Sequence, residues 1–343
     1  MTPAEPDPLA RIRDAAAASV QACSATGESL CEQVAPKIIA NAQGNSPLAK
    51  NLRLLRKEPA TKNKSIAEEQ AIAWAMAGLR EAGLDPHIEK YANPNGGAGE
   101  QQNVVAEYRG RDNSNEWVLV GAHLAPPSNE SSAIAISCDA ASVIEAARDI
   151  ALTAMHPKRS IRFVLFTGDE RDMLSSWAYV RFHHAELDHA RAAIIFQSNC
   201  YRVSGYSLNG GLDIEAGLRD AMKPIESLGA THFVIGAKTG RDDFDFLLEG
   251  VPTLSASPIM MPVSVDGPMP DPNFGKRGMD DLKHNIAVVA VTAFGIAERT
   301  APIGIRQSRG EIESLIKSMR LDDSMKHVGI SSQWESGERG RLP

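Results

Sequence analysis

Two places in the chain gather residue types that can move protons or hold a metal. His123 ends the apolar run Val118-Leu119-Val120-Gly121-Ala122. Asp169-Glu170 follow a second run, residues 161–166, after Thr167-Gly168. An imidazole set near a carboxylate pair suits either a divalent metal site or general acid and base catalysis. The competing reading is that polar residues at strand ends simply face water, and the residues alone leave both open.

Between these runs lies a helical pattern, Ala140-Ala141-Ser142-Val143-Ile144-Glu145-Ala146-Ala147. Two apolar runs around one helix read as a βαβ unit with parallel strands. In open α/β sheets, ligands bind outside the strands' carboxyl ends, which is where His123 and Asp169-Glu170 fall. Residues 118–120, 161–166, 192–196 and 251–255 are expected as neighbouring central strands. Residues 85–91, 103–108 and 231–235 read as further strands, with a hairpin-like turn at 110–115. Helices are expected at 48–55, 65–83, 175–183, 244–248, 280–299 and 308–317. Ser65 and Glu68 have capping-box spacing, and Gly83 is a stop signal. The chain then divides into a helical extension (1–48), an α/β domain (49–305), and a C-terminal helix and tail (306–343) packed on that domain. The polar residues 331–343 read as loosely held.

The 343 residues suffice for one large α/β domain or two smaller ones. A net charge of −7 argues against a nucleic-acid partner, since a phosphate backbone demands a basic face. No apolar run approaches the roughly 18 residues of a membrane helix. Residues 1–10 lack the basic-then-apolar order of an export signal, so the chain reads as cytoplasmic, a trimmed exported form remaining open. Cys23, Cys31, Cys138 and Cys200 match no metal-binding spacing. They read as small buried hydrophobes, with a bridge between Cys23 and Cys31 open but not implied.

The words around the two sites carry a resemblance. Gly121-Ala122-His123-Leu124, Val143-Ile144-Glu145-Ala146-Ala147-Arg148 and Arg162-Phe163-Val164-Leu165-Phe166-Thr167-Gly168-Asp169-Glu170 resemble the co-catalytic di-zinc aminopeptidase family. That family includes glutamate carboxypeptidase-like and glutaminyl cyclase-like members. Asp242-Asp243-Phe244-Asp245-Phe246-Leu247-Leu248-Glu249-Gly250-Val251-Pro252 and Leu282-Lys283-His284-Asn285-Ile286-Ala287 extend the likeness. It implies a three-layer α/β fold with a mixed, mostly parallel sheet flanked by helices.

The resemblance also implies a zinc site, and residue by residue this chain departs from it. His123 falls on the first ligand and Glu170 on another. The aspartate that orients the histidine is Ala125, and the one bridging both metals is Ala135. The general base is Asp169, a later aspartate ligand is Gln197, and the last histidine ligand falls near Pro268. His123, Ala135, Asp169, Glu170, Gln197 and Pro268 are expected to converge on one cleft. Too few ligands remain for zinc, so no metal and no cofactor is expected.

Three functions compete. The favoured one is a degenerate relative whose cleft, including Gln197, Cys138, Asp139 and Asp242, binds a peptide, a small molecule or a protein partner. The second is a metal-free enzyme drawing acid, base or nucleophile from His123, Asp169, Glu170, Cys138, Asp139 and Cys200. The third is a weak metallopeptidase rebuilt with Asp139 or Asp242 as ligands.

Overall fold

The computed structural model describes residues 30–57, 64–97, 99–112, 115–124, 130–168, 173–209, 211, 213–258 and 276–342. Among these, eight strands form one sheet in the order β1-β2-β4-β3-β5-β8-β6-β7. They are β1 (His87–Ala92), β2 (Glu100–Tyr108), β3 (Trp117–His123), β4 (Ser160–Phe166), β5 (Ala190–Phe196), β6 (Gly205–Asn209), β7 (His232–Ile235) and β8 (Thr253–Ser257). The four central runs, β4, β3, β5 and β8, are consecutive parallel neighbours, as their sequences require. Antiparallel pairs lie at β1/β2, β2/β4 and β6/β8.

Why β3 occupies the centre follows from its composition. All seven residues are buried, and alternate side chains serve opposite faces. Val118, Val120 and Ala122 join the core with the helices of one layer, while Trp117 and Leu119 join the core of the other. A strand apolar on both faces must be covered on both. The first layer holds α1 (Leu30–Gln43), α3 (Lys64–Glu81), α4 (Glu130–Ala151) and α8 (Lys276–Glu298). Residues 286–298 of α8 are buried without interruption, because α1 and α4 pack on it beside the sheet. The second layer rests on α5 (Leu174–Phe182) and α7 (Asp242–Leu248).

Several expectations needed correction. The turn at 110–115 does not pair β2 with β3, because β4 inserts between them and pairs with both. Strand β6 was missed, since Gly205-Tyr206-Ser207-Leu208-Asn209 is short and polar at alternate places. The C-terminal segment is well anchored. After α9 (Arg309–Ser318) and α10 (Asp322–His327), residues 331–336 form α11 (Ser331–Ser336). Trp334 is buried, and the Arg309 guanidinium stacks 3.9 Å from its ring centroid. Arg339 is 1% exposed. The capping box at residues 65–68 involves side chains outside the described set. Ser308 and Glu311 form one at the start of α9.

Candidate functional site

Strand register sets the site. β3 and β5 run parallel with Gly121 opposite Ile195. Two residues further on, His123 stands level with Gln197, on strands about 4.8 Å apart and pointing to the same side. Both residues face the start of α7, which places Asp242, Asp243 and Asp245 in its first turn. All three are at most 3% exposed.

Each aspartate meets a different kind of partner. Asp242 Oδ2 lies 3.0 Å from His123 Nδ1. A carboxylate only accepts, so Nδ1 carries a proton and donates it in a hydrogen bond to Asp242. Asp242 thus orients His123 from a distant segment, the task the resemblance gave to the position of Ala125. Asp242 Oδ1 is buried without a hydrogen-bond partner. Asp243 Oδ1 accepts from Gln197 Nε2 at 3.1 Å. Its Oδ2 accepts from Asn209 Nδ2 at 2.6 Å and from Ser255 Oγ. Asp245 takes the Arg339 guanidinium in bidentate fashion, at 2.7 and 3.0 Å, and the Ser176 hydroxyl at 2.7 Å. Burial pushes the Asp245 carboxyl above its ordinary range, and Arg339 opposes that shift.

The other candidate residues separate from this group. Asp139, on α4, spends both oxygens on the loop after β5. Oδ1 accepts from Ser198 N at 3.1 Å and Ser198 Oγ at 2.5 Å, and Oδ2 from Asn199 N at 3.3 Å. Cys138 and Cys200 form a disulfide, so neither offers a thiol, and the reading of them as separate apolar residues is corrected. Cys31 is buried on α1, and Cys23 lies outside the described residues. Ala135 falls in the early turns of α4. Asp169, Glu170, Ala125 and Pro268 also lie outside the described residues. Among the described residues, no group of three or more His, Cys, Asp or Glu is placed to hold a metal ion. Asn209, Ser255 and Arg339 were missed by sequence reasoning. They lie 34, 12 and 94 residues from their aspartate partners, and no local spacing links them.

The fold is similar to that of several solved structures. One is a peptidase M28 precursor from Shewanella amazonensis SB2B, with a TM-score of 0.64 at 16% identity, covering 81% of this chain and 99% of that one. An aminopeptidase from Aneurinibacillus sp. strain AM-1 gives 0.57 at 11% identity, covering 81% and 98%. A glutaminyl cyclase from Macrostomum lignano gives 0.54 at 15% identity, covering 77% and 93%. At such identities the likeness speaks for the fold alone. No curated protein is similar enough in sequence to count as a match. The sequence profile of Peptidase family M28 matches residues 103–286, more than half of the chain. That stretch holds β3, β5, α7 and all three aspartates, and the chain belongs to Peptidase family M28.

Proposed function

We propose that this M28 protein does not hydrolyse peptides through a zinc pair, and that its strand-end site binds a peptide, a small molecule or a protein partner. Gln197 carries the reading. Its amide nitrogen donates to Asp243 Oδ1, and a carboxylate accepts only, so the amide cannot be flipped. The Gln197 oxygen therefore turns away from Asp243 and is buried without a hydrogen-bond partner. Zinc takes imidazole, thiolate and carboxylate in sets of three or four, and a neutral amide oxygen is a poor substitute. Ala135 has no atom with which to bridge two cations. His123 is oriented by Asp242 as a zinc-ligating histidine would be, but it is one imidazole and cannot replace the missing carboxylates. This donor set does not fit a co-catalytic zinc pair.

A second reading is favoured by one observation. The His123–Asp242 pair has the oriented geometry of a general acid or base, which suits a metal-free catalyst. A thiol nucleophile at Cys138 or Cys200 is ruled out in the disulfide form. The same bond supports an oxidising compartment over the cytosol, where thiol pools keep such pairs reduced. No helix among the described residues is long and apolar enough to cross a membrane.

Elemental analysis and zinc calorimetry on the purified chain, with turnover assays on aminoacyl, dipeptide and N-terminal glutamine substrates, test the reading. The expectation is little bound metal, weak heats and no chelator-sensitive turnover. The combined variant Ala135→Asp, Asp169→Glu, Gln197→Asp and Pro268→His is expected to bind zinc more tightly than wild type. Zinc-dependent turnover by the wild type at roughly 1 s⁻¹ or faster, abolished by a chelator, would overturn it.

A further inference from the structure

The loop after β5 has an unusual backbone. Asn199 and Cys200 have φ of 49° and 67°, consecutive left-handed conformations that crowd any Cβ. Such residues persist only where surrounding contacts over-determine them. The contacts come from two helices. On α4, the Asp139 carboxylate accepts from the backbone of Ser198 and Asn199 and from the Ser198 hydroxyl. Its neighbour Cys138 is bonded to Cys200, with Cα atoms 5.4 Å apart. On α8, Asn285 Oδ1 accepts from Val203 N and Nδ2 donates to Tyr201 O, both at 2.7 Å. His284 Nε2 lies 3.0 Å from the Val203 carbonyl, which requires that nitrogen to be the donor.

Gln197 sits at the head of this loop. Its backbone N–H is tied to Ala256 O at 3.0 Å, and its side chain reaches Asp243. The Cys138–Cys200 bond cross-links α4 to the loop after β5 across 62 residues of sequence. Each cysteine also lies three residues after a position where the resemblance expects a charged ligand and this chain has none: Cys138 after Ala135 on α4, and Cys200 after Gln197 at the end of β5. The bond therefore ties these two segments to each other.

We infer that the Cys138–Cys200 disulfide and Asp139 together form a metal-independent brace. It holds residues 197–203 in their left-handed turn and so keeps Gln197 seated against Asp243. The inference rests on the metal-free reading of the site, because a bound zinc pair would make a second brace redundant. Opening the brace breaks the S–S bond and needs two electrons and two protons. A dithiol reductant supplies both and becomes a disulfide itself. Cys138 and Cys200 are 0% and 3% exposed, so a reductant reaches them only when the loop opens. The bond thus behaves as a fixed structural part rather than a rapid redox switch.

Amide hydrogen exchange read by mass spectrometry on the full chain tests this. The proteins are oxidised wild type, Cys138→Ser/Cys200→Ser, and Asp139→Asn, each with and without zinc. Without zinc, peptides spanning 197–203 are expected to exchange about ten-fold faster in the double serine variant, with β4 peptides unchanged. Asp139→Asn keeps one acceptor oxygen and is expected to give about three-fold. If the double variant does not fold, Asp139→Asn alone still decides the question. Exchange at 197–203 unchanged in the variants overturns the brace. So does acceleration spread evenly over β3, β4 and α8, which would mark a general chain staple. Restoration of slow exchange by zinc in the double serine variant supports the brace and overturns the metal-free reading, so the two fail separately.

Discussion

Removing Arg339 should damage the protein far more than its place four residues from the C-terminus suggests. The guanidinium is 1% exposed and makes two charge-assisted bonds, 2.7 and 3.0 Å, to an Asp245 carboxylate that is equally buried. It also stacks 4.7 Å from the Trp177 ring centroid and donates to Gln333 Oε1 at 3.3 Å. Arg339→Ala strands a carboxylate with only the Ser176 hydroxyl as a hydrogen-bond partner. Breaking one side of such a buried pair costs about 3–5 kcal/mol. At about 2.1 cal/mol/K per residue, unfolding entropy for this chain is roughly 0.7 kcal/mol/K, so 4 kcal/mol lowers Tm by about 6 °C. The sign with pH follows from Asp245. Burial already raises its pKa, and Arg339 is the main opposing influence. Without Arg339 the folded pKa rises further above the unfolded value. The penalty is then full above the folded pKa and shrinks as pH falls toward the unfolded value near 3.8. Urea unfolding of wild type, Arg339→Ala, Asp245→Asn and the double variant gives the coupling directly. The double variant should cost less than the sum of the singles by about 1.5 kcal/mol or more. A single-variant cost below about 1 kcal/mol, or one independent of pH, would refute the argument.

Other outcomes follow from the same coordinates. Glu145 and Asp149, one turn apart on α4, are raised by burial to about 7 each, with Arg148 the nearest cation at 3.8 and 3.5 Å. Folded pKa values above the unfolded ones mean that stability falls as pH rises from about 4.5 to 7 and is flat above. Glu145→Gln should therefore gain about 2–3 kcal/mol over wild type at pH 8 and almost nothing at pH 4.5, read by denaturant unfolding. Gly250 has φ of +76° at the end of α7, with Gln307 N donating to its carbonyl at 2.8 Å. A Cβ there would strike Gln307 O, so Gly250→Ala should cost about 2 kcal/mol or more in thermal unfolding. Gln197→Asp alone sets a second carboxylate against Asp243. It should destabilise by about 1–3 kcal/mol at pH 8 and less at pH 5, the opposite of a ligand restored to a waiting metal.

The sheet was legible because burial on both faces writes itself as largely apolar runs, as in Val118 to Ala122 and Ile161 to Phe166, where Arg162 is the one charged residue. Adjacent runs of that kind have few ways to pair. Strand β6 was not legible, because its five residues alternate apolar with small or polar types, although it lies between β8 and β7 and is mostly buried. The position of His123 was readable, since a strand end is local. Its partner was not. Asp242 lies 119 residues away, and residue type alone suggested a ligand rather than an orienting carboxylate. Cys138 and Cys200 stand at a spacing that matches no motif. Their pairing depends on α4 and the β5 loop meeting in space.

The three aspartates of α7 show why type is a poor guide to role once groups are buried. A buried carboxylate is tolerated only when donors replace its water. Asp245 receives a full cation and becomes part of the scaffold. Asp243 receives an amide from Gln197, another from Asn209 and the Ser255 hydroxyl, all neutral, and fixes the orientation of the site's amide. Asp242 receives only the His123 ring on one oxygen, while the other has no hydrogen-bond partner. Of the three, Asp242 alone has an oxygen without a hydrogen-bond partner among the described residues, and its other oxygen meets the His123 imidazole. In the proposed reading, the His123–Asp242 pair is the part of the cluster left to meet a ligand. Asp243, Asp245 and the braced β5 loop are the frame that holds it.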